Sequence, residues 1–355
     1  LAPGISMLED LCGIPVVGVI PYMDVDIEDE DSLSSRLETG KGKAPAAVDL
    51  AVIRFPRISN FTDFNVFSGI PGVSLRYVTR ACDLGTPDMV ILPGTKNTIH
   101  DLLWMRQNGL EAAILKLADR QVPVWGICGG YQMMGEVLVD EKGVESDLPS
   151  RTSGMGLLPL KTEFEKEKIR TQVEGAFGQL DGCLGGLSGK SIEGYEIHMG
   201  RTYIDREEGA ADTARIVSWR REPEICRPMD YVMEMGKDRL LSRKARMDGW
   251  NRGNIYGTYV HGIFDSPGIA GAVAEALAAA KGLCLEQAAD MDYRTYRQQQ
   301  YDKLAEELRE NLDMAAVYRI MGISQKGKMG ISQKGKGEEK PDDGYTVGTG
   351  TAGRY

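Results

Sequence analysis

A chain of 355 residues, 42% of them hydrophobic, is long enough for one large domain with additional pieces and can bury a sizeable core. Its net charge of −10, with no long block of Lys or Arg, argues against nucleic acid or an anionic membrane surface as a partner. The six cysteines form no CxxC pair, which points to a reducing cytoplasm and away from a disulfide framework or zinc site, and only His100, His198 and His261 are available for histidine chemistry.

The chain opens on "LAPGISMLEDLCGIPVVGVIPYMDVDIEDEDSLSSR", which reads as helix, apolar strand and acidic loop. It starts with Leu and has nothing before the helix, so it is expected to be the remnant of an upstream domain that has been cut away. The run 11–22 is short and carries two prolines, and no stretch approaches the roughly 20 apolar residues of a membrane span; no secretory signal is present either. The acidic stretch 24–32 reads as a solvated loop. "ETGKGKAP" (38–45) has the composition of a linker, and a domain boundary is expected there.

Beyond it, short β-branched runs at 48–55, 73–78, 88–94 and 122–128 alternate with helical patterns such as 110–120. That alternation predicts an α/β domain, a mainly parallel sheet flanked by helices. Further strands are expected at 193–200, 214–220 and 254–262, and a helix over 269–282 ended by Gly282. A last helical region covers 292–320. "MGISQKGK" then occurs twice in tandem (321–328 and 329–336), too few units for a solenoid and too polar for a core, so 322–355 is expected to be a disordered tail.

The chemistry concentrates in "VPVWGICGGYQMMG" (122–135). Its "GICGG" has the G-x-nucleophile-x-G spacing of a tight strand-to-helix turn, where Cys128 would project beyond the strand and the first helical N–H groups would favour a thiolate. Read alone, the pentapeptide fits equally a buried cysteine before an ordinary βα turn.

The flanking residues resemble those of triad-type (class I) glutamine amidotransferases: C-x-G-x-Q is present as Cys128, Gly130 and Gln132. "ILPGTKNTIHDL" (91–102) resembles their oxyanion loop, and "GTYVHGIFDSP" (257–267) the segment that carries the catalytic histidine. With "PYMDVDIEDEDSL", "FPRISNFTDFNVF" (55–67) and "GYEIHMGRT" (194–202), the resemblance extends from residue 1 to about 321 and narrows to the cobyric acid synthase family.

The resemblance implies a flavodoxin-like amidotransferase domain over 44–321, preceded in 1–43 by the end of a P-loop-type α/β synthetase domain and its linker. It implies Cys128 as nucleophile, His261 as acid and base, Gly94 and Gly129 as oxyanion donors, and Gln132 and Thr95 at the substrate. Glutamine is the implied ammonia donor. The corrinoid would be amidated by the upstream ATP-binding domain missing from this chain; ATP and Mg are expected for the complete enzyme, and no cofactor for this chain. The same segments fit a,c-diamide synthases and peptidoglycan-precursor amidotransferases, and the fold class also fits a stand-alone cysteine hydrolase.

Where many triad amidotransferases place a glutamate two residues after the histidine, this chain has Ile263, so a Cys–His dyad is expected, with Asp265 or Glu196 as candidates to orient the ring. His198 reads as part of a half-buried strand and His100 as a capping or surface residue. "GGLSGKS" (185–191) lacks the first glycine of a phosphate loop, since position 184 is Leu, and reads as a Gly-rich turn. In "ISNFTDF", Asn60 and Thr62 read either as turn caps or as part of a face toward the synthetase domain.

Overall fold

The computed structural model describes residues 2–23, 25, 46–146, 148–204, 227–234, 245–285 and 293–322. The expected linker at 38–45, strand at 214–220 and tail after 322 lie outside the described residues, as does the acidic stretch 24–32 apart from Val25. The chain divides into two compact units, one formed by its two ends (Leu1–Asp24 with Asp302–Tyr355) and the other by Val25–Tyr301.

In the first unit, helix α1 (Ala2–Cys12) leads to an extended stretch in which Gly18 bridges to Leu312. The N–H of Asp313 donates to the Val17 carbonyl at 2.7 Å. The opening segment is thus tied to the closing one within this unit.

The second unit is built on one sheet. Strands β1 (Val48–Ile53), β3 (Met89–Leu92) and β4 (Val124–Ile127) are near-continuous apolar runs, as befits parallel strands covered on both faces, while the edge strand β2 (Val73–Val78) carries Ser74 and Arg76 and is half-buried over its first four residues. Between them lie α2 (Asn65–Ser68), α3 (Ala81–Leu84), α4 (Thr98–Gln107) and α5 (Leu110–Asp119). Helix α5 turns Leu110, Ile114, Leu117 and Ala118 inward, the spacing of one helical face. Helix α6 (Gly129–Met133) starts directly after β4.

The chain then forms β5 (Val137–Asp140), β6 (Ser150–Ser153), β7 (Lys161–Phe177), β8 (Ser191–Tyr203), β9 (Arg227–Glu234), β10 (Ala245–Arg252) and β11 (Ile255–Thr258). Helix α7 (Ile269–Ala280) follows, with Gly282 (φ 70°) just past its end; α8 (Tyr293–Asn311) begins in this unit, and α9 (Met314–Ile320) belongs to the first.

The order across the sheet is β2-β1-β3-β4-β11-β10-β9-β7-β5-β6, with β8 paired to β7. Its first five strands are mutually parallel, in the doubly wound order of a flavodoxin-like sheet. From β10 onward the pairing is antiparallel except between β5 and β7. In the core Trp125 stacks on Tyr256 at 5.4 Å and meets Phe264 at 4.9 Å.

The Gly-rich stretch tested as a phosphate loop closes the β7–β8 hairpin after a 3-10 helix at Gly182–Leu187. The N–H groups of Ser188, Gly189 and Lys190 donate to the carbonyls of Gly185, Phe177 and Leu187 at 3.1, 3.0 and 3.0 Å, so the turn uses them internally.

In such a sheet, ligands bind outside the carboxyl ends of the strands at the point where the strand order reverses, here between β1 and β3. The segments leaving β1, β3, β4 and β11 all end at that edge.

Candidate active site

Cys128 follows β4 immediately and holds φ 51°, ψ −109°, a conformation costly for any residue with a side chain and one that persists only where the surroundings enforce it. Three contacts enforce it. The Cys128 N–H donates to the Thr258 carbonyl at 2.9 Å, tying the turn to β11. The Gly130 N–H donates to the Pro93 carbonyl at 3.0 Å, and a Cβ on Gly130 would overlap the Leu92 carbonyl. A Cβ on Gly126 would overlap the Met134 sulfur. The glycines therefore let α6 sit against the end of β3, and Cys128 is left at the corner with its Sγ 3.6 Å from the Ile197 carbonyl.

The oxyanion-loop segment packs on that corner. A Cβ on Gly129 would lie 2.6 Å from Thr95 Cγ2 and 3.1 Å from the Thr95 nitrogen, and one on Gly94 would lie 3.0 Å from His261 Cε1. The loop is fastened to the segment after β1 by an isolated bridge between Ile58 and Thr95. The Gly94 carbonyl accepts from the Ser59 N–H at 2.9 Å. Asp101 in α4 accepts from Thr95 Oγ1 and from the Arg57 N–H at 3.2 Å; burial raises its pKa, while these donors oppose the rise.

His261 lies three residues past β11 and is buried. Its main chain pairs both ways with Tyr195 of β8 (3.1 and 2.8 Å), and its ring lies on the Tyr195 ring at 5.3 Å and 17°. Nδ1 is 2.7 Å from Asp63 Oδ2, and Asp63 is equally buried. Nε2 makes no hydrogen bond. Burial alone would push the His261 imidazolium toward losing its proton; the Asp63 carboxylate, with the Cys128 sulfur nearby, overcomes this and holds it at about 10.

Asp63 corrects the expected dyad. Ile263, in the position of the expected glutamate, is fully buried among apolar residues, and Glu196 lies 3.8 Å from His198 Nε2 rather than at His261. The carboxylate comes instead from the 3-10 turn Phe61–Phe64 after β1. Asn60, in the left-handed region at φ 53°, donates from Nδ2 to the Tyr195 hydroxyl at 2.7 Å. One loop thus holds both rings of the Tyr195–His261 stack. Sequence reasoning gives none of the three a role at His261, although all stand in quoted motifs and Asn60 reads there as a turn cap or part of a face toward the synthetase domain; a carboxylate 198 positions from its histidine leaves no spacing to read.

The remaining candidates fall into place around this cluster. Gln132 is buried behind Cys128, its Oε1 accepting from Thr98 Oγ1 at 2.9 Å and its Nε2 donating to the Met199 carbonyl and the Tyr259 hydroxyl at 3.1 and 3.2 Å. His198 stacks on Tyr259 at 3.7 Å and is turned away from His261's partners. His100 is exposed in the first turn of α4, where Asn97 Oδ1 caps its N–H at 2.9 Å. Among the described residues no group of three or more His, Cys, Asp or Glu could hold a metal ion, and no helix is long and apolar enough to cross a membrane.

Residues 49–269 match the family model of the CobB/CobQ-like glutamine amidotransferase domain. The chain is 47% identical over 323 residues to a cobyric acid synthase of Ruminiclostridium cellulolyticum, covering 90% of this chain and 58% of that protein. It is 44% identical to one of Lachnoclostridium phytofermentans, covering 90% and 60%, and 41% identical to one of Photorhabdus laumondii, covering 93% and 60%. The chain therefore spans about three-fifths of the length of these curated relatives.

Proposed function

The chain belongs to the CobB/CobQ-like glutamine amidotransferase family, and from that premise we propose that it is the glutamine-hydrolysing part of a cobyric acid synthase. The observation that carries the catalytic half of this reading is the buried series Asp63, His261 and Cys128, assembled at the carboxyl ends of three parallel strands.

With His261 cationic at neutral pH, a counter-ion for the attacking sulfur of Cys128 is in place before substrate arrives. The sulfur attacks the side-chain amide carbon of glutamine, and the carbonyl electrons move to oxygen. Main-chain N–H groups of Gly129 and of the Gly94–Thr95 loop receive that oxyanion. Collapse expels ammonia, which takes its proton from His261 Nε2, and leaves a γ-glutamyl thioester. Water, deprotonated by the now neutral His261, attacks the thioester and releases glutamate, returning the thiolate and imidazolium.

Asp63 acts through His261. It fixes the ring so that Nε2 carries the mobile proton, and its charge keeps the ring protonated. Gln132 acts as a bracket between α4, α6 and β8, because both ends of its amide are taken by protein groups. Thr95 sets the loop through Asp101.

In the complete protein, the ammonia would amidate peripheral carboxylates of a corrinoid a,c-diamide after activation with ATP and Mg. We assign those reactants to the part of such a synthase that this chain does not span. In the Gly-rich turn, the N–H groups of Ser188, Gly189 and Lys190 are engaged within the chain.

The test has two levels. In this chain, acid quenching during glutamine turnover should trap the acyl group on Cys128, and glutamate release should vanish in Cys128→Ala; release that survives the substitution sinks the assignment. In the complete protein, Cys128→Ala should lose glutamine-dependent corrinoid amidation and keep the ammonia-dependent reaction. Amidation of a lipid-linked muropeptide, or of the two a,c carboxylates in its place, would move the chain to one of the sister activities.

A further inference from the structure

A cavity of about 630 Å³ opens beside the catalytic cluster within the second unit, a volume suited to a small molecule. Its floor is one face of the β7–β8 hairpin. Arg170, Gln172 and Glu174 of β7 stand opposite Ile197, Tyr195 and Glu193 of β8 in register, so all six side chains share that face. Gly262 and Asp265, from the turn after His261, form another wall, and Arg297 of α8 a third.

Two contacts connect this floor to the reacting atoms. The Ile197 carbonyl lies 3.6 Å from Cys128 Sγ, and the Tyr195 ring covers His261. Gly194 immediately precedes Tyr195, and a Cβ there would overlap the His261 carbonyl, so the backbone of β8 passes as close to the catalytic histidine as it can.

The lining carries both signs of charge. Arg297 already has a partner within the chain. The Arg170 side chain makes no ion pair or hydrogen bond among the described residues, and the carboxylates of Glu174, Glu193 and Asp265 border the same space, Glu193 and Asp265 with partners of their own in the chain. An unengaged guanidinium in a cleft is a planar fork of donors suited to a carboxylate.

The distances suit an α-amino acid. From the amide carbon of glutamine to its α-carboxylate carbon there are four bonds, which extend over about 5 Å. Directly opposed residues of neighbouring strands are separated by about 4.5–5.5 Å at Cβ. With its amide carbon at Cys128 beside the Ile197 carbonyl, a glutamine laid across β8 would carry its head group toward Ile197's cross-strand partner, Arg170, whose long side chain lines the same cavity.

We propose that Arg170 binds the α-carboxylate of glutamine in this cavity, with the bordering carboxylates facing the α-ammonium, so that β7 selects a free amino acid over other primary amides. This rests on the glutaminase reading of Cys128 and names the substrate contact which that reading leaves open. The site should then distinguish glutamine from glutamine α-methyl ester, which keeps the side-chain amide and loses the carboxylate charge.

The experiment compares two electrophiles at Cys128 in the full chain, with labelling located by peptide mass spectrometry. One, 6-diazo-5-oxonorleucine, has the amino-acid head group; the other, iodoacetamide, does not. Arg170→Ala should slow labelling by the first by about 10- to 100-fold, the loss expected for a hydrogen-bonded charge, and leave the second unchanged. Arg170→Lys should recover part of the rate. Equal rates for wild type and Arg170→Ala with the amino-acid reagent overturn the assignment and leave the glutaminase reading standing. Equal slowing with both reagents also overturns it, since Arg170 would then act on Cys128 itself. Failure of the amino-acid reagent to label Cys128 in the wild-type chain removes the underlying reading, and the assignment with it.

Discussion

Asp63→Asn isolates the contribution of charge to the site, because the amide keeps the size of the carboxylate and can still accept from His261 Nδ1. The wild-type pair lifts the His261 imidazolium from 6.5 to about 10 against burial, which works the other way. At 1.36 kcal/mol per pH unit, the lift corresponds to about 5 kcal/mol between the two protonation states. Without the anion, burial is opposed only by the Cys128 sulfur, and the ring should shift toward its neutral form. Cys128 then loses its counter-ion and ammonia its proton donor. Glutamine hydrolysis should fall by about 10²- to 10⁴-fold in kcat, the range for a triad that keeps its geometry and loses its carboxylate, with KM little changed. The alkaline limb of kcat/KM should lie near 10 in the wild type and move down in the variant, so the deficit widens as pH rises toward about 8.5. Stability follows the same linkage. A pKa raised on folding contributes stability that is fully present below 6.5 and is lost as pH rises through about 10. The Tm difference between wild type and Asp63→Asn should thus be largest near pH 6 and shrink as pH approaches 10. A variant with kcat within a factor of about three and an unmoved alkaline limb would refute the reasoning.

Gly130→Ala should destabilise the protein by about 1–3 kcal/mol in chemical denaturation, because its Cβ would meet the Leu92 carbonyl and neither backbone segment can give way. Asp101→Ala removes the acceptor that holds Thr95 Oγ1 and the Arg57 N–H; kcat for glutaminase should drop by about tenfold or more with Tm less affected, which steady-state kinetics and calorimetry would separate. Tyr195→Phe keeps the ring on His261 and loses the bond from Asn60, so kcat should change by less than about tenfold, whereas Tyr195→Ala removes the ring and should cost more; equal effects from the two would show that the stack is idle.

The parallel half of the fold was legible because its strands are buried on both faces and so read as apolar runs separated by turns. The expected strands at 48–55, 73–78, 88–94 and 122–128 contain β1 to β4. The long β7 went unread for the opposite reason. Its centre, "EKEKIR" (165–170), is charged and exposed, and it holds a strand only because β8 supplies the ladder across from it. The site divides in the same way. Cys128 and Gly130 answer to a local steric demand, a tight turn against Leu92, and local demands leave sequence spacing behind. Asp63, Tyr195 and Arg170 answer to tertiary placement: each sits on a different element, and long-range pairings such as the bridge between Tyr195 and His261 bring these elements to the end of β4, where the sheet order alone leaves β7 and β8 distant.

That placement explains why a carboxylate at 63 serves where sequence comparison looked for one at 263. What the imidazole needs is an acceptor at Nδ1, and a triad is defined by that geometry rather than by chain position. The loop after β1 is adjacent to the loops after β3 and β11 at the switch point, so it can supply the acceptor. Ile263, by contrast, is the first residue of a 3-10 turn and is fully buried beside Phe264, whose ring packs on Phe67 at 4.9 Å and Trp125 at 4.9 Å. A glutamate there would have to leave this apolar layer to reach the ring or be buried without a partner, which costs several kcal/mol. The double substitution Asp63→Asn with Ile263→Glu should therefore not restore glutaminase activity; it should lower Tm further than Asp63→Asn alone. Recovery of kcat in the double variant, with the alkaline limb moving back up, would mean that the turn after β11 can present a carboxylate to His261 and that Asp63 occupies the role by history, not by geometry.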